Sequence, residues 1–213
     1  MSQPGLADAF ARHLGGNVSV VEELVGDPSG LLGVEVEVVE KAIDKRRFEF
    51  AAGRRAARRA LQSLDAPALA IPTGPNRAPL WPEGIIGSIT HDEGLALAIV
   101  GRTDHVSAVG VDLTEAAPLP GQTRSTILRE EEAGLSDLDA RAAFAVKECL
   151  FKALHPQVNA FFGFDAARVH PGLDRNAFTV TLCRDLGPFT AETAFQGTLL
   201  HQDQRIAAAL VLS

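Results

Sequence analysis

Twenty residues, Asp65 to Gly84 ("DAPALAIPTGPNRAPLWPEG"), carry five prolines and two glycines, and no regular helix or strand can run through them. Each proline fixes one backbone dihedral and removes a donor, so the chain must build separate elements on either side of this break. Before it, Ile43, Phe50, Ala57 and Leu61 are spaced seven, seven and four apart, which places them on one helical stripe facing a core. After it come short apolar runs bounded by turn residues. "IIGSIT" reads as a strand ending at His91, "LALAIVG" as a second strand after the turn "HDEG", and "HVSAVGVDL" as a third. A histidine where a strand meets a turn is either structural or placed for a ligand.

The helix carries a second stripe, Arg47, Arg54 and Arg58, with the same spacing. Between Lys41 and Arg59, eight basic residues stand against only Asp44 and Glu49, in a chain of net charge −7. The plain reading is a solvated face. Acids that would alternate for i,i+4 pairing are nearly absent, however, so the row is expected to repel itself unless an anion such as phosphate joins it. The acidic total argues against general nucleic-acid affinity.

On the third strand, Val109 and Val111 share one face, and Gly110, Asp112 and Thr114 the other. Asp112 is therefore expected to project from a sheet edge without entering the core. Glu115 falls on the opposite face unless a turn before "AAPLPG" brings it back. Acids at a strand end also suit a solvated turn.

Two more helices are expected, "RSTILREEEAGL" and "LDARAAFAVKECLFKALHP". In the second, Ala143, Val146, Leu150 and Leu154 form the buried stripe, and Pro156 should stop the helix one residue after His155. Glu148 and Lys152 are i,i+4 neighbours, the spacing of an ordinary surface ion pair, with Lys147 on an adjoining face. "AFTVTL", "AFQGTLLH" and "RIAAALVLS" read as strands of an antiparallel sheet. The aromatic run "FFGF", Phe161 to Phe164, is expected in core packing, with an exposed docking patch as the alternative.

With 213 residues and 46% hydrophobic content, the chain can bury one substantial core, as a single domain or as two small halves. Cys149 and Cys183 lack metal-ligand spacing and read as reduced packing residues. The N-terminus lacks a secretory pattern, and no segment reaches the roughly 18 apolar residues of a membrane span. A cytoplasmic, membrane-free protein is the expectation.

In order along the chain, "RRFEFAAGRRAARRAL", "RAPLWPEGIIGSITHDEG", "AVGVDLTE" and "FAVKECLFKAL" resemble the successive signatures of the 4'-phosphopantetheinyl transferases. The similarity is to the single-chain group typified by the enterobactin-synthase component and its actinobacterial relatives, and covers about residues 39 to 170. It implies an α+β fold of two similar α/β lobes packed as a pseudo-dimer. Residues 1–104 would form the N-terminal lobe and residues 105–213 the C-terminal lobe, with coenzyme A in the cleft between them.

The reaction implied is transfer of the phosphopantetheine arm of coenzyme A to a serine of an apo acyl or peptidyl carrier protein, releasing adenosine 3',5'-bisphosphate. Such a displacement at a diphosphate needs a divalent metal, charge neutralisation and a base. Asp112 and Glu148 match the family's carboxylates for Mg²⁺, with Mn²⁺ as a substitute. Lys147 and Lys152 match its phosphate-facing lysines. Glu148 also matches the residue that deprotonates the serine, directly or through a metal-held water. Arg54 and His91 match residues that hold the 3'-phosphate of coenzyme A, and Arg46 is a further phosphate contact, since Arg's forked donors suit that group.

Two departures matter. Where the family has Asp-x-Glu, this chain has Thr114, with Glu115 one step later. Either Thr114 contributes a hydroxyl or holds a metal-bound water, or a local bulge lets Glu115 ligate. Thr73 stands where relatives often carry a lysine near coenzyme A, with Arg77 or Asn76 as substitutes. A monomer is expected, and the competing function is a non-catalytic descendant that binds coenzyme A or a carrier protein.

Overall fold

The proline-rich segment does divide helix from sheet in the computed structural model, which describes residues 5–74, 77–170 and 176–213. Asn76 lies outside the described residues. By contact the chain divides into two compact units, Met1–Val109 with Leu212–Ser213, and Gly110–Val211.

In the first unit, α1 (Leu6–Leu14) leads into β1 (Val18–Leu24), a short α2 (Val34–Val39) and the long α3 (Asp44–Ser63). β2 (Ile85–His91) and β3 (Leu95–Arg102) follow the break. They form a three-stranded antiparallel sheet in the order β1-β3-β2, with Thr90 opposite Leu97 and His91 opposite Ala96. Phe50, Ala57 and Leu61 bury the expected face of α3, and Ala57 and Leu61 pack with Ile71, Ile85, Ala98 and Val100. Ile43 does not join them. It is the N-cap of α3 and 75% exposed, because its extended dihedrals take it off the helical stripe that its spacing suggests. Helix and sheet approach closely at Gly53, where a Cβ would lie 2.9 Å from Ile89.

The second unit opens within β4 (Ala108–Glu115), which is followed by α4 (Gly121–Ile127) and α5 (Asp137–Val158). The expected helix over "RSTILREEEAGL" is only partly formed. Leu128 turns extended at the end of α4, and a single 3-10 turn, Glu130–Glu132, follows. Strands β5 (Ala167–Val169), β6 (Phe178–Leu182), β7 (Ala194–Gln202) and β8 (Arg205–Leu212) complete a five-stranded sheet in the order β4-β8-β7-β6-β5. β4 is thus an edge strand.

Helix α5 starts at Ser136, whose side chain accepts from the Asp139 N–H, and buries Ala143, Val146, Leu150 and Leu154 as expected. Pro156 does not stop it. The helix continues to Val158 and ends at Asn159 in the left-handed conformation, whose N–H donates to the His155 carbonyl at 2.8 Å, so helical bonding resumes past the proline. The aromatic run divides: Phe162 is buried, while Phe161 is 84% exposed, and both meet the Phe151 ring at a tilt, 56° and 57° respectively. Cys149 and Cys183 are free thiols. Among the described residues no helix is long and apolar enough to cross a membrane.

Candidate functional site

β4 and α5 bring together the residues that the "GVDL" and "KECLFK" stretches single out. The approach is set by Gly110. A Cβ there would lie 2.1 Å from the Cys149 carbonyl oxygen and 2.9 Å from the Ala153 nitrogen, so only glycine lets the strand reach the helix backbone. Two residues on, on the same face, Asp112 Oδ1 accepts from Lys152 Nζ at 2.6 Å, and that ammonium also donates to the Val111 carbonyl at 3.1 Å. Asp112 is only 6% exposed. Contrary to the expectation of a carboxylate clear of the core, α5 covers it and supplies the counter-charge.

Lys152 therefore pairs across to the strand, not with Glu148 along its own helix. Glu148 sits one turn earlier, half-buried. Burial pushes its carboxyl above the ordinary value, and the charge of Asp112 pushes it further, against a smaller opposing effect of Lys152. Thr114, the next residue on that strand face, is buried, and its Oγ1 accepts from Arg141 Nη1 at 3.3 Å. Glu115 is exposed at the end of β4.

Among the described residues no group of three or more His, Cys, Asp or Glu side chains gathers as a metal site. Asp112 and Glu148 nevertheless fit a hard divalent cation. Both offer carboxylate oxygens, and the charge of Asp112 disfavours ionising Glu148 until a cation compensates it. Beside Glu148 lies a cavity of about 230 Å³ lined by Phe151, Phe161, Phe162 and Phe164.

Lys147 lines that cavity too, but its ammonium is engaged within the fold. It is buried, and its ammonium donates to Glu132 Oε2 at 2.5 Å and to the Ile127 carbonyl at 2.9 Å. Glu132 in turn accepts from the backbone N–H groups of Arg129 and Val169. Burial lowers the Lys147 pKa, with Glu132 opposing the shift. This lysine ties the segment after α4 and strand β5 to α5, and its ammonium already has an acidic partner in Glu132.

In the first unit, Arg46, Phe50 and Arg54 recur every four residues on one face of α3. The two guanidinium carbons lie 5.8 and 4.4 Å from the Phe50 ring centroid. Arg46 Nη1 lies 3.1 Å from His91 Nε2 at the end of β2. A guanidinium can only donate, so His91 accepts at Nε2 and carries its proton on Nδ1, 3.6 Å from Glu49 Oε2. Arg54 is buried and bonds only neutral oxygens, donating from Nε to the Ile71 carbonyl at 3.0 Å and from Nη2 to Thr73 Oγ1 at 3.1 Å. Burial brings its pKa down to about 10. Arg46 is lowered too, by burial and then by the charge of Arg77.

The rest of the basic row has protein partners that local spacing does not reveal. Arg58 donates to both oxygens of the buried Glu35 at 2.8 Å, Arg55 and Arg59 share Glu23, and Lys45 meets Glu93. The expected self-repulsion is thus mostly relieved within the fold. Arg46 and Arg54 remain without an ion-pair partner among the described residues, beside a neutral His91 and with Glu49 nearby.

Residues 34–101 match the model of the 4'-phosphopantetheinyl transferase N-terminal domain, and residues 108–209 that of the 4'-phosphopantetheinyl transferase superfamily. The chain is 34% identical over 187 residues to the 4'-phosphopantetheinyl transferase PptT of Mycobacterium tuberculosis, covering 84% of this chain and 79% of the relative. The chain belongs to the 4'-phosphopantetheinyl transferase superfamily. The transferase Svp of Streptomyces mobaraensis is 36% identical over 166 residues, which cover 73% of this chain and 68% of Svp. Enterobactin synthase component D of Salmonella typhi is 35% identical over 135 residues, which cover 59% of this chain and 55% of that protein.

Seen as a transferase, the chain has site neighbours that its sequence did not mark. Glu49 and Phe50 are recognisable only once α3 and β2 are packed. Arg141 lies seven residues before Glu148, two helical turns along the same face, a spacing visible in the sequence but indistinguishable there from a solvated arginine.

Proposed function

We propose that this chain transfers the 4'-phosphopantetheine arm of coenzyme A to a serine hydroxyl of an apo carrier protein, with adenosine 3',5'-bisphosphate as leaving group. The observation that carries the reading is the Asp112, Lys152 and Glu148 constellation at the β4–α5 contact, within the segment matched to the superfamily. Glu148, more basic than an ordinary carboxylate, takes the serine proton as the oxygen attacks phosphorus. Lys152, held on Asp112, is the cation for charge developing on the departing phosphate. Asp112 and Glu148 would hold a Mg²⁺ ion, which when bound supplies Lewis-acid neutralisation of the diphosphate. The aromatic cavity beside Glu148 suits an uncharged stretch of substrate and excludes water from it.

Arg46, Arg54 and His91 are assigned to the 3'-phosphate of coenzyme A. Their support is charge in need of an anion: a buried guanidinium satisfied only by neutral oxygens, beside a second arginine and a histidine. Lys147 is left out of the phosphate contacts.

Two measurements test the assignment. Incubation with an apo carrier domain, coenzyme A and Mg²⁺ should add one phosphopantetheine to the carrier by mass, and Glu148→Gln should abolish the gain. Wild type should prefer coenzyme A over 3'-dephospho-coenzyme A, with Arg54→Ala erasing the preference. A carrier left unmodified across a panel while coenzyme A binds would favour the non-catalytic reading. Discrimination unchanged by Arg54→Ala would remove the 3'-phosphate assignment.

A further inference from the structure

Arg141 has no role in the reading so far, yet it touches Thr114, the next residue after Asp112 on its face of β4. Asp112 and Thr114 share one face of β4, about 7 Å apart along the strand. Arg141 and Glu148 share one face of α5, about 10 Å apart along the helix. Strand and helix are thus matched in pairs: Asp112 meets Lys152 near one end, and Thr114 meets Arg141 at the other.

The guanidinium is anchored there. Its Nε donates to the Ala117 carbonyl at 2.7 Å and its Nη2 to the Pro118 carbonyl at 3.0 Å, both on the chain leaving β4. Nη1 reaches Thr114 Oγ1. All three contacts are to neutral oxygens, and among the described residues no carboxylate forms an ion pair with Arg141. A fixed, uncompensated positive charge therefore touches the position that would furnish a third acidic ligand.

We propose that Arg141 determines how the metal site is completed: it occupies Thr114 Oγ1 and keeps a cation beside it, so that a divalent ion is held by Asp112 and Glu148 alone and held weakly. The inference rests on the metal reading of those two carboxylates. It has a consequence for restoring the missing acid. A glutamate at position 114 would meet Arg141 first and form a forked pair with it, withholding its oxygens from the ion.

The test is direct Mn²⁺ binding, followed by the loss of the free-ion signal in electron paramagnetic resonance, with and without coenzyme A. Arg141→Lys, which keeps the charge, should bind within about twofold of wild type, and Arg141→Gln about threefold tighter or more. Thr114→Glu alone should gain less than about twofold, whereas Thr114→Glu with Arg141→Gln should gain about tenfold, well beyond the product of the single effects. Loss of packing alone does not tighten metal binding, so a structural role for Arg141 cannot produce this pattern. Equal binding by wild type and both Arg141 variants, or a full gain from Thr114→Glu alone, would overturn the proposal. Asp112→Asn separates the two levels: if it leaves Mn²⁺ binding unchanged, the carboxylate-pair reading falls and this inference with it. If it abolishes binding while the Arg141 variants are all alike, only the role of Arg141 falls.

Discussion

Gly110→Ala is the sharpest perturbation of the site that removes no polar group. The added methyl would lie 2.1 Å from the Cys149 carbonyl oxygen, 2.9 Å from the Ala153 nitrogen and 3.0 Å from its Cβ. Ordinary contact needs about 3.5 Å, so β4 and α5 must separate by about 1 Å, and the obstacle is helix backbone, which cannot rotate aside. Overpacking of this kind costs about 3 kcal/mol, the upper end of what an extra methylene costs in a packed core. The separation also moves Asp112 away from Lys152 and Glu148, and a misplacement of about 1 Å lowers a transfer rate by about 10²-fold. Urea denaturation and phosphopantetheine transfer to a carrier should therefore both respond, with folded protein at low denaturant still slow. Gly134→Ala is the control, since a Cβ there meets nothing within 4 Å. A Gly110→Ala protein with the wild-type midpoint and a transfer rate within about twofold would refute the argument that this close approach sets the site.

Other outcomes follow from the buried charges. Lys147→Met should lose about 3–5 kcal/mol in denaturant titrations by stranding Glu132, and pairing it with Glu132→Met should recover part of that loss. Wild-type stability with a raised KM for coenzyme A would instead return Lys147 to the phosphates. Arg58→Met should cost a similar amount, because Glu35 is fully buried and also accepts from the Leu32 and Ile71 N–H groups. An exposed Arg47→Met should cost almost nothing in the same titration. For Glu148, whose pKa is raised in the folded state, the folded chain binds the extra proton, so stability falls as pH rises from 4.5 through the raised value. In chelator-treated buffer Glu148→Gln should exceed wild type in stability at about pH 8, with the gap closing at about pH 4. An equal gap at both pH values would contradict the shift.

What the chain alone determined were the features carried by short spacing. The period of α3 and α5, the proline break between them, the alternation on β4 and the order of the family motifs are all local, and they placed Asp112, Glu148, Lys152, Arg54 and His91 on the right elements. Ile43 and Pro156 mark the limit of such patterns: Ile43 leaves the helical period because its own dihedrals are extended, while Pro156 is carried inside α5 where its residue type predicts a stop. Tertiary structure decided the partnerships. Glu35 with Arg58, Glu132 with Lys147 and Arg141 with Thr114 are 23, 15 and 27 residues apart, and nothing in local spacing specifies them. Burial makes the difference: once α5 covers Asp112, a charge must find its counter-charge, and the lysine that reads as a surface partner of Glu148 becomes the cation of the strand. The chemistry of each side chain was written in the sequence, while which charges are spent within the fold and which remain for a ligand depends on which of them packing removes from water.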